Sequence, residues 1–337
     1  MIDCDIFDLG DFALQSGAIL TQGRLAFKTY GKLNSPGDNV IVYPTSFAST
    51  HINNEPMVGA DKALDPSKYF IIIPNLLGNG LSSSPSNSSE PQYRCGFPKL
   101  TYYDVVVAQH RLLTEYFGIN RVKLVCGGSM GAQQVFHWGA LYPDMVERIA
   151  PWCGSAKTSV HNFVFLEGVK AALKSDSSYN NGCYLRAPHK GLKAMSRVYA
   201  GWGPSQDFYR DKIYLKNGFA SIEEYISREW ESRFVDMDAN DLLSMITTWQ
   251  EGDISNNHMF QGDIELALSS IKAKGMVMPS QTDQYFPKED SEKEVLLMSN
   301  AELRVIPSKW GHLAGVPGKN PVDTRFIDSA LKELLLS

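Results

Sequence analysis

Short, continuous apolar runs recur along the chain, separated by stretches whose apolar residues are spaced for helices. "NVIVYPTS" (39–46) and "YFIIIPN" (69–75) are rich in β-branched residues, and a proline ends each run. Runs of this kind read as strands buried on both faces, because a strand with one wet face alternates polar and apolar residues instead. "RLAFKTYGKL" (24–33) is an amphipathic strand near the N-terminus. "TYYDVVVAQHRLLTEYFGI" (101–119) places Val105, Leu112, Leu113 and Tyr116 at helical spacing, and Gly118 offers a C-terminal cap. "RVKLVC" and "RIAPWCG" supply two further strands, "KGMVMPSQTD" and "ELRVIPSKWGH" two late ones, and "PVDTRFIDSALKELLL" a closing amphipathic helix. Strands alternating with helices predict an α/β fold with a mostly parallel, doubly wound sheet covered on both faces.

That rhythm stops between residues 155 and 262. "FVFLEGVKAALK", "EEYISREWESRF" and "ANDLLSMITTWQ" are helix-forming and aromatic, loops such as "SDSSYNNG" lie between them, and no strand pattern recurs. The strand pattern resumes directly afterwards, which favours a helical lid inserted into one core (1–154 and 263–337) over an independent domain on a linker.

The chain of 337 residues fits one large α/β domain with an insertion, or two domains. Its net charge of −5 offers no basic field for nucleic acid or an anionic membrane surface. No run approaches the ~18 apolar residues of a membrane span, and "MIDCDIFDLGDFAL" lacks the basic start of a signal peptide. The five cysteines, Cys4, Cys95, Cys126, Cys153 and Cys183, are odd in number and widely spaced. That argues against a disulfide framework and for a reducing, cytoplasmic setting. The histidines share no metal-ligand spacing with one another or with cysteine, so no metal and no cofactor is expected.

The chemistry centres on "KLVCGGSMGAQQVFHWGALYP" (123–143), where a strand runs into a helix through Gly127-x-Ser129-x-Gly131. Such a turn holds its central residue in a strained backbone conformation that small flanking residues make possible. The pattern is that of the nucleophile elbow of α/β-hydrolases, in which acid and histidine follow the serine in chain order. A plain glycine-rich turn is the competing reading, so the partners decide. "QTDQYFP" puts Asp283 on the loop after one late strand, and "KWGHLAG" puts His312 on the loop after the next. Alone, Asp283 reads as a turn residue and His312 as a loop histidine. Three residue types in the required order, each after a predicted strand, point to an acyl-transferring serine with its base and orienting acid. The oxyanion donors expected are the backbone N–H of Met130 and one from "YPTSFAST", with Ser46 favoured over Thr45 and Phe47. "NLLGNGLSSSP" (75–85) lacks the Gly-Lys-Ser/Thr ending of a phosphate loop and reads as an active-site wall. Trp202, Trp230, Trp249 and Met245 read as lid core or acyl-pocket lining.

With these residues placed, the chain resembles the homoserine O-acetyltransferase family of α/β-hydrolases over nearly its full length. "FPKLTYYDVVVAQHRLL", "GGSMGAQQVFHWGALYPDMVERI", "NLLGNGLSSSPS", "TDQYFP" and "WGH" carry the likeness. The resemblance implies the hydrolase fold, the triad, a helical lid and a homodimer. It also implies an acid directly after the catalytic histidine to grip the homoserine amine, and a lid arginine for its carboxylate. Here the first position is Leu313, and Arg197 in "GLKAMSRVYAGWG" is displaced by one. An apolar side chain cannot pair an ammonium. "YPTS", "RVYAGWG" and "WGHLAG" look more like the family's esterase branch. The expectation is a serine carboxylesterase for short-chain acyl esters, with Phe47 and Leu313 contacting substrate. The alternative is an O-acyltransferase that takes acyl-CoA and an acceptor other than homoserine.

Overall fold

The computed structural model describes residues 3–337. Eight strands form one sheet: β1 (Asp5–Ala13), β2 (Ile19–Tyr30), β3 (Val40–Val42), β4 (Phe70–Pro74), β5 (Leu124–Gly128), β6 (Arg148–Trp152), β9 (Lys274–Val277) and β10 (Ala301–Leu303). Their order is β1-β2-β4-β3-β5-β6-β9-β10. β1 and β2 pair antiparallel, as do β2 and β4, and every other neighbouring pair is parallel. The apolar runs 39–46 and 69–75 thus become central strands, as their unbroken hydrophobicity predicts.

The two-residue alternation along these strands feeds two separate cores. Val40, Val42, Ile72 and Val125 face one side, with helices α1 (Tyr102–Arg111) and α2 (Met130–Leu141) packed on it through Val105 and Val135. Ile41, Ile71, Ile73 and Leu124 face the other, against the C-terminal helix (Pro321–Leu336) through Ile327 and Leu331. Both faces are covered, so the parallel strands need no polar side.

β6 and β9 are adjacent although the whole 155–262 stretch lies between them in sequence. The stretch leaves the sheet unbroken because its two ends are tied to each other. Thr158 N–H donates to the Gly252 carbonyl at 2.8 Å, and Ile254 N–H donates to Ala156 at 3.1 Å. It is largely helical, with α3 (Val160–Lys174), α4 (His189–Ala200) and α5 (Ala239–Gln250) as its longest elements. It also contains a small hairpin, β7 (Tyr179–Asn180) with β8 (Cys183–Tyr184), where no strand pattern is legible. Two-residue strands are too short to leave a periodic signal.

The hairpin brings a correction. Cys183 is disulfide-bonded to Cys95, 88 residues earlier in the chain, with a Cα–Cα distance of 5.3 Å. The odd count and wide spacing argue against a disulfide framework, but spacing cannot reveal which loops the fold sets side by side to form a single bridge. Cys4, Cys126 and Cys153 remain free, the latter two buried as small apolar groups. The inference of a reducing compartment from cysteine usage loses its support.

Candidate active site

β5 ends at Gly128 and α2 begins at Met130, so Ser129 alone makes the turn, with φ 57° and ψ −128°. This is a conformation side chains seldom adopt, and it exposes the hydroxyl at the carboxyl edge of the sheet. The glycines make the turn possible. A Cβ on Gly127 would sit 3.0 Å from the Gly131 carbonyl carbon, and one on Gly128 would sit 2.3 Å from the Trp152 indole nitrogen. The strain is held in place by Ser129 N–H donating to Trp152 O at 3.0 Å.

The loops after β9 and β10 meet at the same edge. Thr282 joins them: its hydroxyl donates to the Ser308 carbonyl at 2.8 Å and accepts from Gly311 N–H at 3.1 Å. Gly311 has φ 62°, and a Cβ there would strike Ser205 N at 2.6 Å. No other residue would let this loop lie against the 203–205 segment, where His312 N–H donates to the Gly203 carbonyl at 2.9 Å. The three residues read from the sequence are thereby brought together. His312 Nδ1–H donates to Asp283 Oδ2 at 2.7 Å, and the Ser129 hydroxyl donates to His312 Nε2 at 3.0 Å. Asp283 also accepts through Oδ1 from the backbone N–H groups of Tyr285 and Phe286. The turn contacts of Asp283 and its contact to His312 therefore coexist on one carboxylate. The Tyr285 ring lies 4.4 Å from the His312 ring, walling the imidazole from bulk water.

Met130 is the first residue of α2, so its N–H has no acceptor within the helix. In the loop after β3, Ser46 N–H donates to the Ser49 hydroxyl at 2.9 Å and Thr45 N–H to Pro74 O at 3.2 Å, so both amides are engaged within the protein. Gln134 of α2 donates to the Thr45 carbonyl at 2.9 Å, locking this loop onto the elbow helix.

A cavity of about 410 Å³ opens above Ser129 and His312. Phe47 and Leu313, both expected at the substrate, line it together with Tyr199, Trp230 and Phe234. Phe47 stacks on Tyr199 at 5.9 Å, and Trp249 lies behind it as buried support. Of Trp202, Trp230, Trp249 and Met245, read as lid core or acyl-pocket lining, Trp230 lines the cavity and the other three do not. Tyr199, Arg233 and Phe234 are lining that sequence reasoning missed, because helical spacing does not say which face turns toward a site built elsewhere.

The 75–85 segment is not among the residues lining the cavity. It supports the loop after β3 from behind: Asn79 donates to the Ser49 carbonyl at 3.1 Å, and Asn75 accepts from His51 N–H at 3.0 Å. Its polar, glycine-rich composition fits either role. Arg197 also lies away from the cavity, pairing with Glu223 and Glu231 at 2.5 and 2.6 Å. No group of three metal-ligating side chains occurs among the described residues.

Residues 39–318 match the family model described as the alpha/beta hydrolase fold. An ethyl acetate hydrolase of Pseudomonas veronii is 39% identical to this chain, over 99% of the chain and 95% of the relative. The solved acetylester hydrolase of Corynebacterium glutamicum superposes with a TM-score of 0.96 at 38% identity, covering 99% of this chain and 96% of that one. A homoserine O-acetyltransferase of Trichormus variabilis matches at 30% identity over 89% of this chain and 86% of its own length. By the family match and these full-length relatives, the chain belongs to the α/β-hydrolase fold family.

Proposed function

We propose that this esterase is a serine carboxylesterase that cleaves short-chain acyl esters through Ser129, His312 and Asp283. The observation that carries the reading is the continuous pair of hydrogen bonds from the Ser129 hydroxyl through the imidazole to the buried Asp283 carboxylate. As Ser129 Oγ attacks the ester carbonyl, His312 Nε2 takes its proton, and the carboxylate steadies the imidazolium that forms. The Met130 N–H and a second amide collect the developing oxyanion. Because Ser46 N–H already has the Ser49 hydroxyl, Phe47 N–H, which has no acceptor among the described residues, competes with Ser46 for the second role. His312 then protonates the departing alcohol. It next draws a proton from a water whose oxygen attacks the acyl-enzyme carbonyl, and returns that proton to Ser129 Oγ as the acyl–oxygen bond breaks and the acid leaves.

The helices of 155–262 act as the lid over this step, and the cavity of about 410 Å³ accommodates both halves of a small ester. Leu313, buried beside His312, gives an alkyl group a surface and a homoserine ammonium none. The reading includes the homodimer implied by the family resemblance and a cytoplasmic location; size-exclusion chromatography tests the first and cell fractionation the second. Among the described residues, no helix is long and apolar enough to cross a membrane.

The test is direct. A serine-directed phosphonate adds its mass at Ser129, and Ser129→Ala abolishes p-nitrophenyl acetate hydrolysis. Labelling at another serine, or an active Ser129→Ala, sinks the mechanism. Rapid O-acetylhomoserine formation from acetyl-CoA and homoserine would move the protein to transfer.

A further inference from the structure

The cavity carries a charge that the hydrolytic mechanism does not use. Glu229, Arg233 and Lys319 line it with the catalytic pair. Glu229 is committed to Lys319 at 2.5 Å, a pair joining the helical stretch to the core. The next acid along, Glu231, is held by Arg197 at 2.6 Å and Lys193 at 3.8 Å. Arg233 is left with neither ion pair nor hydrogen bond among the described residues. Its guanidinium lies 5.7 Å from the Phe234 ring, and the residue is only partly exposed. Its charge reaches the buried phenols of Tyr199 and Tyr285: burial raises both, and Arg233 acts on each in the opposite sense. Tyr285 is the ring packed on His312, so the free cation lies on the wall that surrounds the reacting atoms.

A guanidinium partly withdrawn from water and left unpaired is a poor structural element. Its planar fork of donors is matched to a carboxylate. Summed over the lining cations and Glu229, the field on this side of the cavity is positive. We propose that Arg233 determines specificity by taking an anionic group of the substrate, so that the preferred ester carries a carboxylate on its acyl or its alcohol portion. This deepens the hydrolase reading and rests on it for the catalytic use of the site. Binding of the anion does not depend on that reading. A neutral ester such as ethyl acetate, named for the Pseudomonas veronii relative, leaves Arg233 without a partner.

Binding and turnover separate the two claims. In a Ser129→Ala background, calorimetric titration compares monoethyl succinate with ethyl butyrate for an acyl-side anion. The same titration compares 3-acetoxypropanoate with propyl acetate for an alcohol-side anion. In one pair the anion binds about tenfold or more tightly, the range of a charge-assisted hydrogen bond. Adding Arg233→Gln removes that preference, and Arg233→Lys keeps part of it. With Arg233 intact, raising ionic strength from about 0.05 to about 0.5 M narrows the preference, which keeps the test informative if a variant fails to fold. Equal affinity for anion and neutral ester in both pairs overturns the proposal. So does a preference unchanged in Arg233→Gln or insensitive to salt. Turnover of the same esters by the unaltered enzyme is read separately. Anion-selective binding without hydrolysis would remove the hydrolase reading and leave the anion site standing.

Discussion

Glu294 sits at the base of the 155–262 stretch, buried in the helix Lys288–Leu297, and invites a sharp perturbation. Its Oε1 accepts from Ala156 N–H at 2.6 Å, while Oε2 has no partner among the described residues. Burial raises its carboxyl pKa from an ordinary 4.5 to about 8; the Ala156 N–H opposes the rise and Asp290 adds to it. Between those values the folded state holds a proton that the unfolded state has released. Stability is therefore full below the unfolded value, falls as pH rises through the window and levels off above about 8. The gap of about 3.5 pH units, at about 1.4 kcal/mol each, sets a ceiling of about 5 kcal/mol on the loss. Glu294→Gln keeps the acceptor for Ala156 N–H and cannot ionise, so it escapes the loss. Urea midpoints of parent and variant at pH 5.5 and 8.5 measure it. The variant should gain about 1 to 2 kcal/mol over the parent at the lower pH, one unit above the unfolded value, and several more at the higher, up to the ceiling. A gap that stays constant with pH, or shrinks as pH rises, would falsify the claim that this buried carboxyl is protonated.

Asp283→Asn preserves the shape of the loop but offers His312 Nδ1 an amide that can favour the wrong tautomer. It should lower kcat by about 10⁴-fold in steady-state assays with the melting curve little changed. Leu313→Asp places a charge beside His312 where an apolar surface stood, so hydrolysis of alkyl esters should fall at least about tenfold. It should not create acetyl transfer to homoserine, because Arg197 stays paired with Glu223 and Glu231 away from the cavity, as mass spectrometry of the products would reveal. Cys183→Ser opens a loop spanning 88 residues and should cost about 4 kcal/mol by denaturant titration. At low temperature its esterase rate should match the parent's, since neither Cys95 nor Cys183 lines the catalytic cavity.

The parallel core and the serine turn were legible because their causes are local. A continuous β-branched run such as 70–74 fits a strand buried on both faces, and Gly127 and Gly131 are needed wherever a chain turns that tightly. Chain order carried the reading further. Once strands alternate with helices, the loops after 277 and 303 must emerge at one edge, so Asp283 and His312 could be named without coordinates. What tertiary structure decided depends on surfaces meeting from distant parts of the chain. The disulfide needed Cys95 and the 179–184 hairpin to be brought side by side, and nothing in their spacing encodes that. The 75–85 segment has the composition of a site wall, yet it packs behind the loop after β3, because which side of a loop faces a cavity is set by its neighbours. Arg233 was just another charge in a helical run. Its significance arises only when the fold commits Glu229 to Lys319 and Glu231 to Arg197, leaving one guanidinium in the cavity without a partner among the described residues.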